Sequence, residues 1–201
     1  MLLYVFLCCK KRLQGCYDRI TNMMNALEYP HYVIVTGAEQ ESYDSNSHLM
    51  EIMCNDNYEG LPEKTVKTYK YIHTYSAFNH YSHICKLDDD IIINKLIDPA
   101  TLSDYCGNVN NSYDGNRRWH IGRCTYGSKF NEMEYTGAYV PWCLGGNGYV
   151  LSRHAIEKVI VDETYNDEIY EDLYIAKLLR VHNILPRQIG NIRSFWYCRD
   201  H

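Results

Sequence analysis

The sequence is 201 residues long, with 20 basic and 25 acidic side chains, a net charge of −5, and 46% hydrophobic residues. A chain of this length and composition buries a core of its own, so neither a disordered segment nor a bundle of membrane helices fits. The mild acidity, with no long run of like charge, argues against nucleic acid as a partner, which selects for a basic face.

Leu2–Cys9 is a continuous apolar run closed by Lys10, Lys11 and Arg12, the pattern of a central parallel strand that empties into a site loop. It is too short for a membrane span, which needs about twenty apolar residues, and it lacks the basic start and small-residue cleavage site of a signal peptide. Apolar residues at 17, 20, 23, 24 and 27 predict a helix over Tyr17–Leu27. Pro30 breaks it, and His31–Thr36 reads as a second strand closed by Gly37. Residues 38–48 are polar and read as a loop, Leu49–Cys54 as a third strand, and Asn55–Leu61 as a loop. Pro62 opens a helix reaching about Phe78, and His83–Leu87 is a strand that runs into Asp88-Asp89-Asp90 and then Ile91–Ile93.

That order, β-α-β-β-α-β, predicts an α/β fold with a Rossmann-like, doubly wound sheet. The second half is less regular. A short helix over Pro99–Cys106, a Gly/Asn-rich loop over 107–117, and strands over Trp119–Thr125, Tyr135–Val140 and Tyr149–Ser152 are expected. Helices over Arg153–Val161 and Glu171–Val181 follow, then one or two strands within 184–197. With no internal repeat and no linker, the expectation is a single domain over 1–201. Its nucleotide-binding half covers about 1–95 and its acceptor and catalytic half about 96–201. The ending Arg199-Asp200-His201, directly after a strand, suits a domain cut from a longer polypeptide.

Nine cysteines, at 8, 9, 16, 54, 85, 106, 124, 143 and 198, are odd in number and form no paired CxxC zinc framework. Several lie in apolar runs, so they read as reduced small hydrophobes, which favours the cytosol. The 20 tyrosines suit wet clefts that hold sugars or bases, and equally suit half-buried strands.

Three stretches carry chemistry. In Lys86-Leu87-Asp88-Asp89-Asp90-Ile-Ile-Ile-Asn94, three carboxylates lie between two apolar runs. In extended geometry Asp88 and Asp90 point one way and Asp89 the other. Their repulsion is relieved by a cation, and Mg²⁺ or Mn²⁺ takes one or two carboxylates, with substrate phosphate completing its shell. A hydrated acidic turn is the plainer reading, and the apolar flanks speak against it. The second stretch is Pro141–Ser152, where Gly145, Gly146 and Gly148 let backbone approach a ligand and Trp142 offers a ring to a sugar; a hairpin turn fits equally well. The third is Glu171-Asp172, opening a helix on which Asp172 shares a face with Ile175, Ala176 and Leu179. Its inward carboxylate suits a general base, while a first-turn acid that complements the helix dipole has equal weight.

Together, and in this order, these stretches resemble the β-1,3-galactosyltransferases of family 31, which have a GT-A fold and include Fringe. Lys86–Asn94 is similar to the family's K-x-D-D-D-x-x-x-N, Val140–Ser152 to its Y-P-x-Y-x-x-G-x-G-Y-x-x-S block, and Glu171–Ala176 to its E-D-V-Y-x-G helix start. Asp56–Thr65 resembles D-x-Y-x-N-L-T-x-K-T, so the likeness spans about residues 56–176. The resemblance implies a GT-A type mixed sheet and an inverting transfer of a hexose from a UDP-sugar to a hydroxyl of a glycan or glycoprotein. Asp90, with Asp88 through water, would hold Mn²⁺ or Mg²⁺, and Asp172 would be the base. Cys9, Lys10 and Arg12 would line the uracil and ribose pocket. Lys64, Lys86, Asp88, Asp89, Trp142, Gly145, Gly146 and Glu171 would complete the donor site. A metal-side histidine is expected from the C-terminal part, His201 ahead of His182, although a lone histidine is more often structural.

Typical animal members carry a membrane anchor, a stem and lumenal disulfides. With none of these visible, the sequence is more similar to compact cytosolic enzymes of bacteria or of large DNA viruses, which act in the host cytoplasm. In particular it resembles the N-terminal glycosyltransferase domains of chlorovirus proteins that build capsid glycans. A sugar-1-phosphate nucleotidyltransferase would need a Gly-rich loop after the first strand, and Cys8–Gly15 is not one. A retaining transferase with the same acidic cluster, and a non-catalytic sugar- or metal-binding module, are the remaining alternatives. For the latter the D-x-D-x-D-G loop of a calcium site is missing.

Overall fold

Leu2–Leu7 (β1) is buried at all six positions, which a strand achieves in the middle of a sheet covered on both faces. The computed structural model, which describes residues 1–111 and 115–198, builds the rest around it. In chain order follow α1 (Leu13–Ala26), β2 (Tyr32–Ala38), β3 (Ser42–Asp44), β4 (Leu49–Met53), α2 (Leu61–Thr74), β5 (His83–Asp88) and β6 (Ile91–Ile93). Then come β7 (Tyr105–Gly107), β8 (Val109–Asn110), β9 (Trp142–Cys143), β10 (Tyr149–Ser152), α3 (Arg153–Val159), α4 (Glu171–Val181), β11 (Arg187–Gln188) and β12 (Trp196–Cys198).

Eight strands form one mixed sheet in the order β11-β7-β10-β5-β1-β2-β4-β3. The centre, β5-β1-β2-β4, is parallel, β3 caps one edge antiparallel to β4, and β10 runs antiparallel between β5 and β7 with Tyr149 opposite Lys86. This is the expected α/β architecture with a mixed, Rossmann-like sheet, consistent with a GT-A-like fold. Side chains of β1 alternate between two cores. Leu3, Val5 and Leu7 pack with Tyr69 of α2, Ile156 of α3 and Leu179 of α4, whereas Leu2, Tyr4 and Phe6 pack with Ile20 and Met24 of α1 and with Trp196. Each such side chain contributes about 1.5–3 kcal/mol by leaving water.

Because the parallel strands end level, Leu7 lies beside both Val35 and Asp88. The loop after β1 and the acidic turn after β5 therefore meet at the carboxyl edge of the sheet, where open α/β folds bind ligands.

Several local expectations are corrected. Residues 38–48 contain the edge strand β3, whose Ser42 hydroxyl bonds to Glu51 across the pair at 2.9 Å. Pro99–Cys106 holds one 3₁₀ turn, Pro99–Thr101, capped by the Asp98 side chain, and its last two residues, Tyr105 and Cys106, pair as part of β7 because β10 supplies the ladder. Trp119–Thr125 and Tyr135–Val140 are not strands. Successive backbone turns hold the first, with Ile121 N and Arg123 N donating to the Arg118 and His120 carbonyls at 3.0 Å, and Arg117 holds the second, donating to the Tyr135 and Gly137 carbonyls at 2.7 and 3.1 Å. The expected loop over 107–117 contains β8, and its residues 112–114 lie outside the described residues.

The carboxyl edge is fastened by Asp56. Its Oδ1 accepts from Gly37 N at 2.8 Å and pairs with the buried ammonium of Lys64, while Oδ2 accepts from Lys10 N at 2.6 Å. Lys64, 1% exposed, also donates to the Cys8 carbonyl at 3.0 Å. Burial works against the Asp56 charge, yet the Lys10 N–H and the Lys64 ammonium hold its carboxyl below the usual range. A Cβ on Gly37 would lie 2.5 Å from that of Asp56, so Gly37→Ala should cost about 1–3 kcal/mol. Asp56→Ala strands a buried ammonium and should cost about 3 kcal/mol. Denaturant midpoints at pH 7 measure both. As the folded pKa is depressed, the Asp56 contribution is present above the unfolded value of about 3.9 and fades as pH falls below it, so the difference between wild type and Asp56→Ala should shrink in acid.

Candidate active site

Three elements converge on one buried cation. β5 carries Lys86 inward, 1% exposed, and leaves Asp88 at the strand mouth. The turn Gly145–Asn147 crosses over it, and the first turn of α4 brings Glu171 and Asp172. Lys86 Nζ donates to Asp88 Oδ1 at 2.6 Å and to the Gly145 carbonyl at 3.4 Å, and pairs with Glu171 Oε2 at 3.2 Å. Burial disfavours the Lys86 charge, but Asp88 and Glu171 more than offset it and keep the ammonium protonated.

Glu171 takes a further hydrogen bond from the Tyr149 hydroxyl, itself backed by the Tyr69 hydroxyl at 3.3 Å. Asp172 accepts Gly145 N–H on Oδ2 at 2.7 Å and Leu173 N–H on Oδ1 at 2.8 Å. These donors aim the carboxylate and leave it lone pairs for a ligand hydroxyl. Burial raises its pKa, opposed by those N–H groups and by Lys86. The close approach requires glycine at 145, where a Cβ would lie 3.0 Å from Asp172 Cβ and 3.1 Å from Glu171 Oε2. At Gly148, with φ of 74°, a Cβ would meet Leu87 at 2.4 Å.

Asp88, Lys86, Trp142, Gly145, Gly146, Glu171 and Asp172 line a cavity of about 580 Å³, within the usual range for small-molecule sites. These seven are sequence-predicted site residues gathered at one place. The others lie elsewhere. Asp89 turns to the α1 side, 2% exposed and paired with Arg12 at 2.7 Å. Cys9 and Lys10 sit in the β1 exit loop, Lys64 is engaged with Asp56, and Asp90 is partly buried in the turn before β6; none of these lines the cavity. His182 is exposed at the far end of α4, about 15 Å along the helix from Asp172. His201 lies outside the described residues.

Sequence reasoning missed the opposite wall, formed by Tyr58, Trp119, Tyr139, Tyr170 and Arg123. Trp119 is 54% exposed, with the Arg123 guanidinium 4.0 Å over its ring. His120 beside it is buried, bonded to the Tyr170 hydroxyl at 2.8 Å and to the Met133 carbonyl at 3.0 Å, which fixes the loop that presents Trp119. The tyrosine excess was the only hint of this wall.

Burial pushes the Glu171 carboxyl up to about 7 although Lys86 opposes the shift. A raised carboxyl binds its proton more tightly folded than unfolded, so stability should fall as pH rises from about 4.3, the unfolded value, to about 7. Glu171→Gln should flatten that part of the stability–pH curve, as read from urea midpoints at half-unit steps.

Comparison with known proteins gives the architecture a lineage. No curated protein sequence matches the chain. Among solved structures, the crystal structure of A197 from STIV aligns over all of this chain and 86% of that one, with a TM-score of 0.50 and 12% identity, a likeness of fold alone. No helix among the described residues is long and apolar enough to cross a membrane. The family model for galactosyltransferases matches residues 38–189, from the end of β2 through α4 to β11 and across every wall of the cavity, and the chain therefore belongs to the galactosyltransferase family.

Proposed function

We propose that this glycosyltransferase-family chain transfers a hexose from a UDP-sugar to a glycan or glycoprotein hydroxyl, with inversion and with Mn²⁺ or Mg²⁺ as cofactor. The observation that carries the reading is the gathering, within one cavity, of Asp88 at the end of β5 and Asp172 at the start of α4, with the buried Lys86 paired to Asp88 and to Glu171 beside Asp172.

The donor chemistry of the acidic turn fits a hard cation. Asp88 gives Oδ1 to Lys86 and has Oδ2 on the open side near Gly146, whose ideal Cβ position is 4.0 Å away, and Asp90 lies in the same turn. Asp90, with Asp88 through water, would hold the ion, which when bound supplies positive charge against the departing diphosphate. Lys86 sets the Asp88 carboxylate toward the cavity and lowers the negative potential that a diphosphate must enter. Asp172 takes the proton from the acceptor hydroxyl, its basicity raised by burial and its orientation fixed by two backbone N–H groups. The donor binds against Lys86, Asp88, Trp142, Gly145, Gly146 and Glu171, and the acceptor against the aromatic wall, where Trp119 offers its exposed face to a sugar ring. Cys9, Lys10 and Arg12 serve the nucleoside end from the β1 exit loop.

Titration calorimetry with UDP tests the donor site: binding should require Mn²⁺ or Mg²⁺ and be lost in Asp90→Ala, and UDP that fails to bind under any metal condition would overturn the reading. Asp172→Asn should bind UDP like the wild type while kcat drops by about 10²–10⁴-fold. Trp119→Ala should raise the acceptor KM several-fold and leave the donor KM unchanged, measured with a panel of UDP-hexoses.

A further inference from the structure

The middle carboxylate of the acidic triplet serves a different compartment from its neighbours. Asp89 points to the α1 side, where the first residue after β1, Cys8, and the buried face of α1 at Cys16 meet it. The two sulfurs lie 2.9 Å apart, and both sulfurs and one Asp89 oxygen lie within 4.8 Å of one another. All three residues are buried, at 1%, 5% and 2% exposure. Arg12 holds Asp89 Oδ1 at 2.7 Å, whereas Asp89 Oδ2 is buried with no N–H or O–H donor, and the Cys8 thiol is the weak donor beside the carboxylate. An orphaned carboxylate oxygen in a dry place costs free energy unless something positive reaches it.

We propose that Cys8, Cys16 and Asp89 bind one Zn²⁺ ion, separate from the donor cavity. Two thiolates and a carboxylate are a zinc donor set, unsuited to Mn²⁺ or Mg²⁺, which take oxygen ligands. Binding releases the two thiol protons to solvent as two Zn–S bonds form. The charges then close: two thiolates and one carboxylate against Zn²⁺ and the Arg12 guanidinium. Zn–S bonds of about 2.3 Å in a tetrahedron set the sulfurs about 3.8 Å apart, so the pair opens by less than about 1 Å. Arg12, bonded to the other oxygen of the ligand carboxylate, orients it as outer partners of metal ligands do. Spacing alone conceals such a site, because its third ligand arrives from the turn after β5, seventy-three residues after Cys16. The ion would tie the β1 exit, the first turns of α1 and the turn after β5 to one another.

The test uses reduced, chelator-treated full chain loaded with Co²⁺ and then Zn²⁺. One equivalent of Co²⁺ should give a sulfur-to-metal charge-transfer band that one equivalent of Zn²⁺ abolishes, and Zn²⁺ should raise the melting temperature. Cys8→Ser and Cys16→Ser should each bind Zn²⁺ at least 100-fold more weakly, and Asp89→Asn at least tenfold, whereas Asp90→Ala should keep the thiolate band. Should a serine variant not fold, the wild-type spectrum and melting shift decide alone. Co²⁺ uptake without a thiolate band, or no uptake by the reduced protein, overturns the proposal. So does a chain two hydrogens lighter before reduction that takes up no metal after it, the mark of a plain Cys8–Cys16 disulfide. Because Asp90→Ala removes a proposed donor-site ligand and leaves this site intact, failure of one reading is distinguishable from failure of the other.

Discussion

A lysine ammonium with 1% exposure has no water to solvate it, and the cavity side of the carboxyl edge is organised around satisfying Lys86. Unpaired, such a charge would cost several kcal/mol, so whatever surrounds it must bring compensating oxygen atoms at hydrogen-bonding distance. The fold meets that demand from three directions at once: Asp88 from the same strand, the Gly145 carbonyl from the crossing turn, and Glu171 from the start of α4. The groups that neutralise Lys86 are also the groups that line the cavity. Stability and site geometry are thus set by one electrostatic condition, and the position of α4 follows from it, since Glu171 reaches the ammonium only when the first turn of that helix faces the end of β5.

What was legible in the sequence is what repeats locally. The unbroken run of β1, the period of α1 and the proline at the first turn of α2 announce themselves because packing on a sheet imposes spacing on neighbours in the chain. Asp172 could be placed inward for the same reason. The Asp56–Lys64 fastening could not: eight residues apart and on different elements, it exists only because Gly37 and Lys10 come to the same edge. The segment from 115 to 141 defeats periodicity altogether, because its order comes from Arg117 reaching carbonyls eighteen and twenty residues away and from His120 bonding a tyrosine fifty residues on. Tyr149 was visible as a strand residue, but nothing local says that its hydroxyl meets Glu171.

The alternation of side chains along an extended backbone also explains why three adjacent aspartates need not do one job. Asp88 and Asp89 leave the same strand end toward opposite faces, the one into the cavity beside Lys86 and the other under α1 beside Arg12. Asp88 and Asp89 are each matched by their own cation, which offsets part of the repulsion within the triplet, and one turn of backbone links the two regions.

The antiparallel entry of β10 between β5 and β7 has a consequence for how the chain finds its structure. With Tyr149 opposite Lys86, a slip of one residue would send Val150 toward the ammonium and turn the tyrosine hydroxyl into the apolar layer beneath α1. Two buried polar groups would lose their partners together, so the misaligned strand is rejected by several kcal/mol before any function is at stake. The charge cluster thereby acts as a proofreading element in assembly: a molecule that has closed its sheet in the wrong frame lacks the energy to stay closed, and the folded population consists of molecules whose site is already built.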